Sequence, residues 1–200
     1  GGKEIYHAYI DEEHGKKSFE YLEKNGFLYC YQADDGIVLN QRSFDGIIEL
    51  YREFGMSESR LKRVLGNMHL TEEPWKNSHN EKIIYYQSPF PLAKVQADLE
   101  PYFDTIAFSM EGIDEYAGEI GINGIHKATG MERYLNYVGM SREDSIAIGD
   151  GANDLQMMEY AGVGVAMGNA LLDVKKRADM VTDAIGEDGL YHAFVKLGLI

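Results

Sequence analysis

The chain has little cysteine, little proline and too little positive charge, and each shortage closes off a class of protein. Cys30 is the only cysteine, so no internal disulfide is possible. Its place inside Leu28–Tyr31 reads as a small core residue rather than a reactive thiol. Proline occurs four times in 200 residues, and no repeat or low-complexity linker interrupts the chain. Lys and Arg total 19 against 33 Asp and Glu, a net charge of −14. That balance argues against nucleic acid, because affinity for a polyanion depends on Lys and Arg releasing its counterions. No segment approaches the roughly 20 apolar residues of a membrane span, and the first residues do not read as a charged-then-apolar leader. With 44% hydrophobic and 26% charged residues the composition is that of a globular protein. The expectation is a soluble protein of a reducing cytoplasm, with enough residues for one large or two small cores.

The most informative stretch that is present is Ser145-Ile146-Ala147-Ile148-Gly149-Asp150-Gly151-Ala152-Asn153-Asp154. Ile146 and Ile148 belong to a short apolar strand bounded by glycine, and Leu155, Met157, Met158 and Ala161 follow with the spacing of an apolar helix face. Asp150 therefore falls at the carboxyl end of a strand, the edge at which open α/β sheets bind ligands. Asn153 and Asp154 fall where a helix begins, and unpaired N–H groups and the positive dipole end there favour anions. An isolated Gly-Asp-Gly is most often a tight turn, and an Asn or Asp before a helix is most often a cap. Two acids and an amide gathered within five positions beside a buried strand ask for more, because the carboxylates repel one another unless a cation sits among them. A hard cation such as Mg²⁺ takes carboxylate oxygens and shares its shell with a substrate phosphate. A protein of this charge needs such a local positive site to bind a phosphate ester at all.

These residues resemble the haloacid dehalogenase superfamily, and within it the Cof-type phosphatases. Gly149–Asp154 is similar to the family's fourth motif. The run Ala161-Gly162-Val163-Gly164-Val165-Ala166-Met167-Gly168-Asn169-Ala170 is similar to the Cof-type ending, as are Ala178–Thr182 and Glu187-Asp188-Gly189. Upstream, Ile125-His126-Lys127-Ala128-Thr129-Gly130 resembles the third motif. The likeness spans about Gly124 to Gly189. It implies Asp150 as a catalytic metal ligand, Asp154 as its outer-shell partner, Lys127 as the catalytic phosphate clamp and Asn153 as a contact to phosphate or metal-bound water. It also implies Mg²⁺ as cofactor and a carboxylate nucleophile that forms an aspartyl-phosphate, which water then hydrolyses. Of the six histidines none has metal-ligand spacing, and His126 reads as a neighbour of Lys127.

The family's nucleophile lies in an Asp-x-Asp motif after the first core strand, followed by a Ser or Thr motif, and neither is present in these 200 residues. Asp34-Asp35-Gly36 has adjacent rather than alternate carboxylates and reads as a hairpin turn between Phe27–Gln32 and Ile37–Leu39. Asp11 follows Tyr9-Ile10 but is continued by Glu12-Glu13-His14. The chain thus reads as a Cof-type protein without its amino-terminal half-core, and Gly1-Gly2 reads either as the end of that half-core or as a cloning remnant.

The expected fold class is α/β, a Rossmann-like parallel-sheet core represented by its C-terminal half together with an α+β cap domain. Residues 1–10 end the first half-core or link to it, 11–122 form the cap, and 123–200 form the second half of the core. In the cap the patterns predict helices at Lys16–Lys24, at Phe44–Phe54 and from a Ser57 cap through Met68. They predict a hairpin at Tyr29–Leu39, strands at Lys82–Gln87, Thr105–Met110 and Tyr116–Ile122, and a helix at Leu92–Leu99. Helices and strands then alternate as a parallel sheet requires: helix Thr129–Val138, strand Ser145–Gly149, helix, strand Gly162–Ala166, helix Leu171–Arg177, strand Met180–Thr182 and a last helix. Without the half-core the strand Ser145–Gly149 has an unpaired edge open to association. Tyr29, Tyr31, Trp75, Tyr85 and Tyr86 either line a substrate pocket or, as aromatics at alternate strand positions usually do, fill the core.

The expected function is Mg²⁺-dependent hydrolysis of a small phosphorylated metabolite, a sugar phosphate or similar, with residues 1–200 alone inactive. A non-catalytic binding or regulatory fragment is the alternative. A cation-pumping ATPase carries a similar Gly-Asp-Gly-x-Asn-Asp motif, but no membrane-length apolar run follows it here.

Overall fold

The computed structural model describes residues 3–107 and 116–200. They fall into two compact units, Ala8–Asn123 and a second made of Gly1–His7 with Gly124–Ile200.

The Ala8–Asn123 unit is built on a six-stranded sheet of order β3-β2-β1-β4-β6-β5, formed by β1 (Leu28–Ala33), β2 (Gly36–Leu39), β3 (Met68–Leu70), β4 (Asn80–Tyr86), β5 (Phe103–Ala107) and β6 (Gly118–Ile122). All neighbours are antiparallel except β2 and β3. Its helices are α1 (Glu12–Lys24), α2 (Gln41–Glu53), α3 (Glu58–Leu65) and α4 (Leu92–Leu99). Strand alternation sends Tyr29 and Tyr31 of β1, with Ile83 and Tyr85 of β4, into one cluster with Leu22, Trp75 and Val95. Cys30, Ile84 and Tyr86 point the other way, onto Ile47 and Leu50 of α2. The five aromatics are therefore core rather than pocket lining: Tyr29, Tyr31 and Tyr85 are fully buried and Tyr86 and Trp75 nearly so. Each large ring removes about 150–250 Å² from water, at most about 4–6 kcal/mol of transfer free energy. Burial pushes the Cys30 thiol up to about 12, the N–H hydrogen bonding near Ile84 pulling it only slightly back, so it is an inert core thiol.

Several boundaries differ from expectation. α1 begins at Glu12 rather than Lys16, because the Asp11 side chain caps it by accepting the His14 N–H at 3.0 Å. α3 stops at Leu65, and Met68 opens the short β3 alongside β2 instead of closing the helix. Ser57 stands at its N-cap without a side-chain cap bond. Pro74–Lys76 is a turn of 3₁₀ helix that carries Trp75 inward. The hairpin turn is Asp34-Asp35, with Ala33 paired to Gly36. Positions 108–110 of the expected strand Thr105–Met110 lie outside the described residues.

The second unit holds a parallel sheet of β7 (Ile146–Gly149), β8 (Val163–Ala166) and β9 (Met180–Val181), in that order. Among the described residues β7 therefore pairs on one side only. α5 (Lys127–Val138), α6 (Leu155–Tyr160), α7 (Leu172–Arg177) and α8 (Gly189–Lys196) alternate with the strands. Ala147 and Ala166 of the sheet pack with Met158, Ala161 and Val174 in the core of this unit. Residues 3–6 join this unit through α5: the Arg133 guanidinium lies 3.8 Å from the Tyr6 ring centre, and Lys3 lies over Tyr137. No described helix is long and apolar enough to cross a membrane.

Candidate active site

β7 ends at Gly149 and delivers Asp150 to the carboxyl edge of the parallel sheet. Here glycine is a packing requirement: a Cβ on Gly149 would lie 2.4 Å from Cβ of Asp154. In its absence the Asp154 side chain folds back beneath the strand end, only 6% exposed. The N–H groups of Asp150 and Gly151 both donate to its Oδ2 at 3.1 Å. Its other oxygen, Oδ1, accepts from the ammonium of Lys127, the first residue of α5. Burial alone would raise the Asp154 carboxyl, but the Lys127 ammonium and the two amides outweigh it and hold the group below the ordinary carboxylate value. Asp154 is thus an ionised anchor that fixes the Asp150–Gly151 backbone and the Lys127 side chain together.

Asp150 itself is exposed. Asn169, in the loop after β8, donates its amide N–H to Oδ2 of Asp150 at 2.8 Å, and Oδ1 of Asn169 accepts the Ile185 N–H at 3.0 Å. This loop at the end of the adjacent strand orients the carboxylate. In the sequence Asn169 stands out only as part of the longer run Ala161–Ala170. The available signal was its place just beyond β8, at the same carboxyl edge as Asp150.

Of the residues singled out by sequence, Lys127, Asp150 and Asp154 come together. Asn153 sits beside them but is exposed, its Oδ1 folded to 2.6 Å from where a Cβ on Gly151 would lie. The anion cradle expected from a helix start is smaller than anticipated. A 3₁₀ turn at Ala152–Asp154 precedes α6, and the Asp150 and Gly151 amides are already taken by Asp154. Lys127 brings a positive charge to this loop. Its side chain is 48% exposed, and an ammonium has three N–H donors, so donors remain for a ligand after Asp154 is satisfied. The other carboxylates considered do other work. Asp11 caps α1, and its carboxyl is lowered chiefly by the His14 N–H, while Asp34 accepts from the Tyr9 hydroxyl at 2.9 Å.

The donor set fits Mg²⁺. Asp150 offers an exposed, oriented carboxylate, and Mg²⁺ takes one or two carboxylates and completes its shell with water and phosphate. Among the described residues no group of three or more His, Cys, Asp or Glu is arranged to enclose a metal, so the closed N/S cage of a structural zinc site is not built.

The sequence model of the haloacid dehalogenase-like hydrolases matches residues 1–194. A 5-amino-6-(5-phospho-D-ribitylamino)uracil phosphatase of Bacillus subtilis is 47% identical over 72 residues, 36% of this chain and 27% of that protein. A phosphoglycolate phosphatase of Methanosarcina acetivorans is 37% identical over 105 residues, 52% of this chain and 45% of that protein. The chain thus spans less than half the length of either relative. Among solved structures, a phosphatase of the same enzyme superfamily from Bacteroides thetaiotaomicron superposes with a TM-score of 0.74 at 25% identity, over 98% of this chain and 68% of that one. The match along nearly the whole sequence and the likeness of fold agree with the arrangement around Asp150: this chain belongs to the haloacid dehalogenase-like hydrolases.

Proposed function

We propose that this chain is part of a Mg²⁺-dependent phosphatase that hydrolyses a small phosphorylated metabolite, with residues 123–200 as half of the hydrolase core and 11–122 as its cap. The observation that carries the reading is the linked set Lys127–Asp154–Asp150–Asn169 at the carboxyl edge of a parallel sheet, in a chain of this family. Its phosphatase relatives act on phosphate esters of small molecules, which supports that substrate class here.

Each residue has a separate task in the mechanism. Asp150, oriented by Asn169, would hold Mg²⁺, which supplies charge neutralisation to the phosphoryl oxygens when bound. Lys127 places an ammonium against the transferring group, and the charge that shifts during transfer is where a fixed cation helps most. Asp154 serves as an outer-shell partner: it fixes Lys127 by the ion pair and Asp150 through the loop amides. Asn153, exposed at the loop, contacts phosphate or its waters. The two carboxylates of this loop are thereby committed, Asp154 to Lys127 and Asp150 to metal and Asn169. In this reading neither of them is the nucleophile, and the carboxylate that accepts the phosphoryl group as an aspartyl-phosphate is that of the family's Asp-x-Asp motif.

The test is phosphate release from a panel of sugar phosphates and related esters by the complete protein, with Mg²⁺ and with excess EDTA. Mg²⁺-dependent turnover supports the reading. Absence of turnover on every ester in Mg²⁺ overturns it.

A further inference from the structure

The helix that presents Lys127 opens on an uncommon cap. N-cap positions are usually taken by Ser, Thr, Asp or Asn, but here the residue is His126, in extended backbone conformation. The Thr129 N–H donates to its imidazole Nδ1 at 3.3 Å. In return the Thr129 hydroxyl oxygen accepts the His126 N–H at 3.0 Å and its O–H donates to the His126 carbonyl at 2.9 Å. The next residue is Lys127, whose ammonium is held on Asp154.

An imidazole accepts at Nδ1 only when it is neutral and carries its proton on Nε2. Once protonated, both nitrogens donate. The Thr129 amide then loses its acceptor, and a second cation stands beside Lys127 at the positive end of the α5 dipole. Lys127 is the one other titratable residue in the first turn of α5. In the loop before α6, Asp154 is occupied by the Lys127 ammonium and Asp150 is held by Asn169. Neither replaces the lost acceptor.

We infer that His126 is a positioning residue: its neutral imidazole fixes the first turn of α5 and thereby the Lys127 ammonium on Asp154, and its protonation loosens that pairing. The coupling of cap to ion pair is a property of the chain itself; only its consequence for turnover rests on the phosphatase reading.

Two measurements separate the two. In residues 1–200, the Thr129 amide and the Asp154 side-chain carboxyl are followed by NMR as pH falls from about 8 to about 5.5, the range in which histidine ordinarily titrates. Both resonances are expected to move together with the His126 imidazole. Both should stay flat in His126→Asn, which caps without titrating. If either stays flat in the parent while His126 titrates, or if His126→Asn keeps the parental profile, the inference fails. In the complete protein, kcat of the parent relative to His126→Asn should fall about fivefold across the same range, the scale of one lost cap, with KM nearly unchanged. An unchanged ratio overturns the role in positioning Lys127. A complete protein that releases no phosphate in Mg²⁺ sinks the phosphatase reading instead, and the resonances then decide the inference on their own.

Discussion

Replacing Asp154 separates the two tasks assigned to its carboxylate. In Asp154→Ala the N–H groups of Asp150 and Gly151, both 3.1 Å from Oδ2, lose a charged acceptor, and Lys127 loses its partner. Bonds to a charged group contribute about 1.5–3 kcal/mol each but overlap when they share one oxygen. The pair with a half-exposed lysine adds about 0.2–1 kcal/mol. The expected cost is about 3 kcal/mol. In Asp154→Asn the amide oxygen can take the place of Oδ2 and keep both backbone bonds, while the amide N–H₂ faces the Lys127 ammonium, donor against donor. About 1–1.5 kcal/mol is then lost, since neutral bonds are weaker than charge-assisted ones. The sole tryptophan, Trp75, belongs to the other unit, so urea unfolding at pH 7 is best followed by NMR resonances of residues 124–200. pH supplies a check on sign. The folded Asp154 carboxyl lies below its ordinary value of 3.8. Its contribution is therefore fully present above that value and disappears as pH falls through the lowered one, where the folded state also takes up the proton. An Asp154→Ala cost below about 0.5 kcal/mol, the level of an ordinary surface change, or an Asp154→Asn variant as unstable as Asp154→Ala, would refute the anchoring argument.

Three further outcomes are expected. Gly149→Ala places a methyl where Asp154 packs and should destabilise residues 124–200 by about 1–3 kcal/mol, read from the same urea titration; a neutral effect would mean that the loop has room. Lys127→Ala in the complete protein should lower kcat by an amount equivalent to about 3–4 kcal/mol, with poor rescue by Lys127→Arg because the guanidinium fork differs in shape from a point charge; parental kcat in both would make Lys127 a surface lysine. Residues 1–200 alone should release no phosphate in Mg²⁺ from esters that the complete protein hydrolyses, and turnover by them alone would locate the nucleophile within this sequence.

Much of the site could be read directly, because the strand into Gly149-Asp150-Gly151 is local: the apolar run, the glycines and the acid stand next to one another. Lys127 and Asp154 were found as separate candidates, but their ion pair spans 27 positions and no local pattern encodes it. Asn169 was missed for the same reason, since its bonds reach back to Asp150 and forward to Ile185. Helix starts slipped where caps were misjudged. Asp11 is compared in the sequence with the Asp-x-Asp motif, which it does not complete, and not with a cap; histidine is an uncommon cap, so the pattern places the start of α5 at Thr129 rather than Lys127. Met68 continues the i, i+3, i+4, i+7 pattern of Leu61, Val64 and Leu65, yet the chain leaves the helix after Leu65 and pairs Met68 with Ile37. A tertiary strand partner outweighs periodicity over so short a run. The buried aromatics, by contrast, follow from simple alternation along β1 and β4.

The central claim is that Asp150, held by Asn169 at the end of β7, is where the metal and phosphate chemistry happens. Asp150→Ala in the complete protein, assayed for phosphate release at saturating Mg²⁺ with circular dichroism as the control for folding, tests it most directly. The account predicts a parental spectrum with hydrolysis abolished. Hydrolysis within a few-fold of the parent would contradict it.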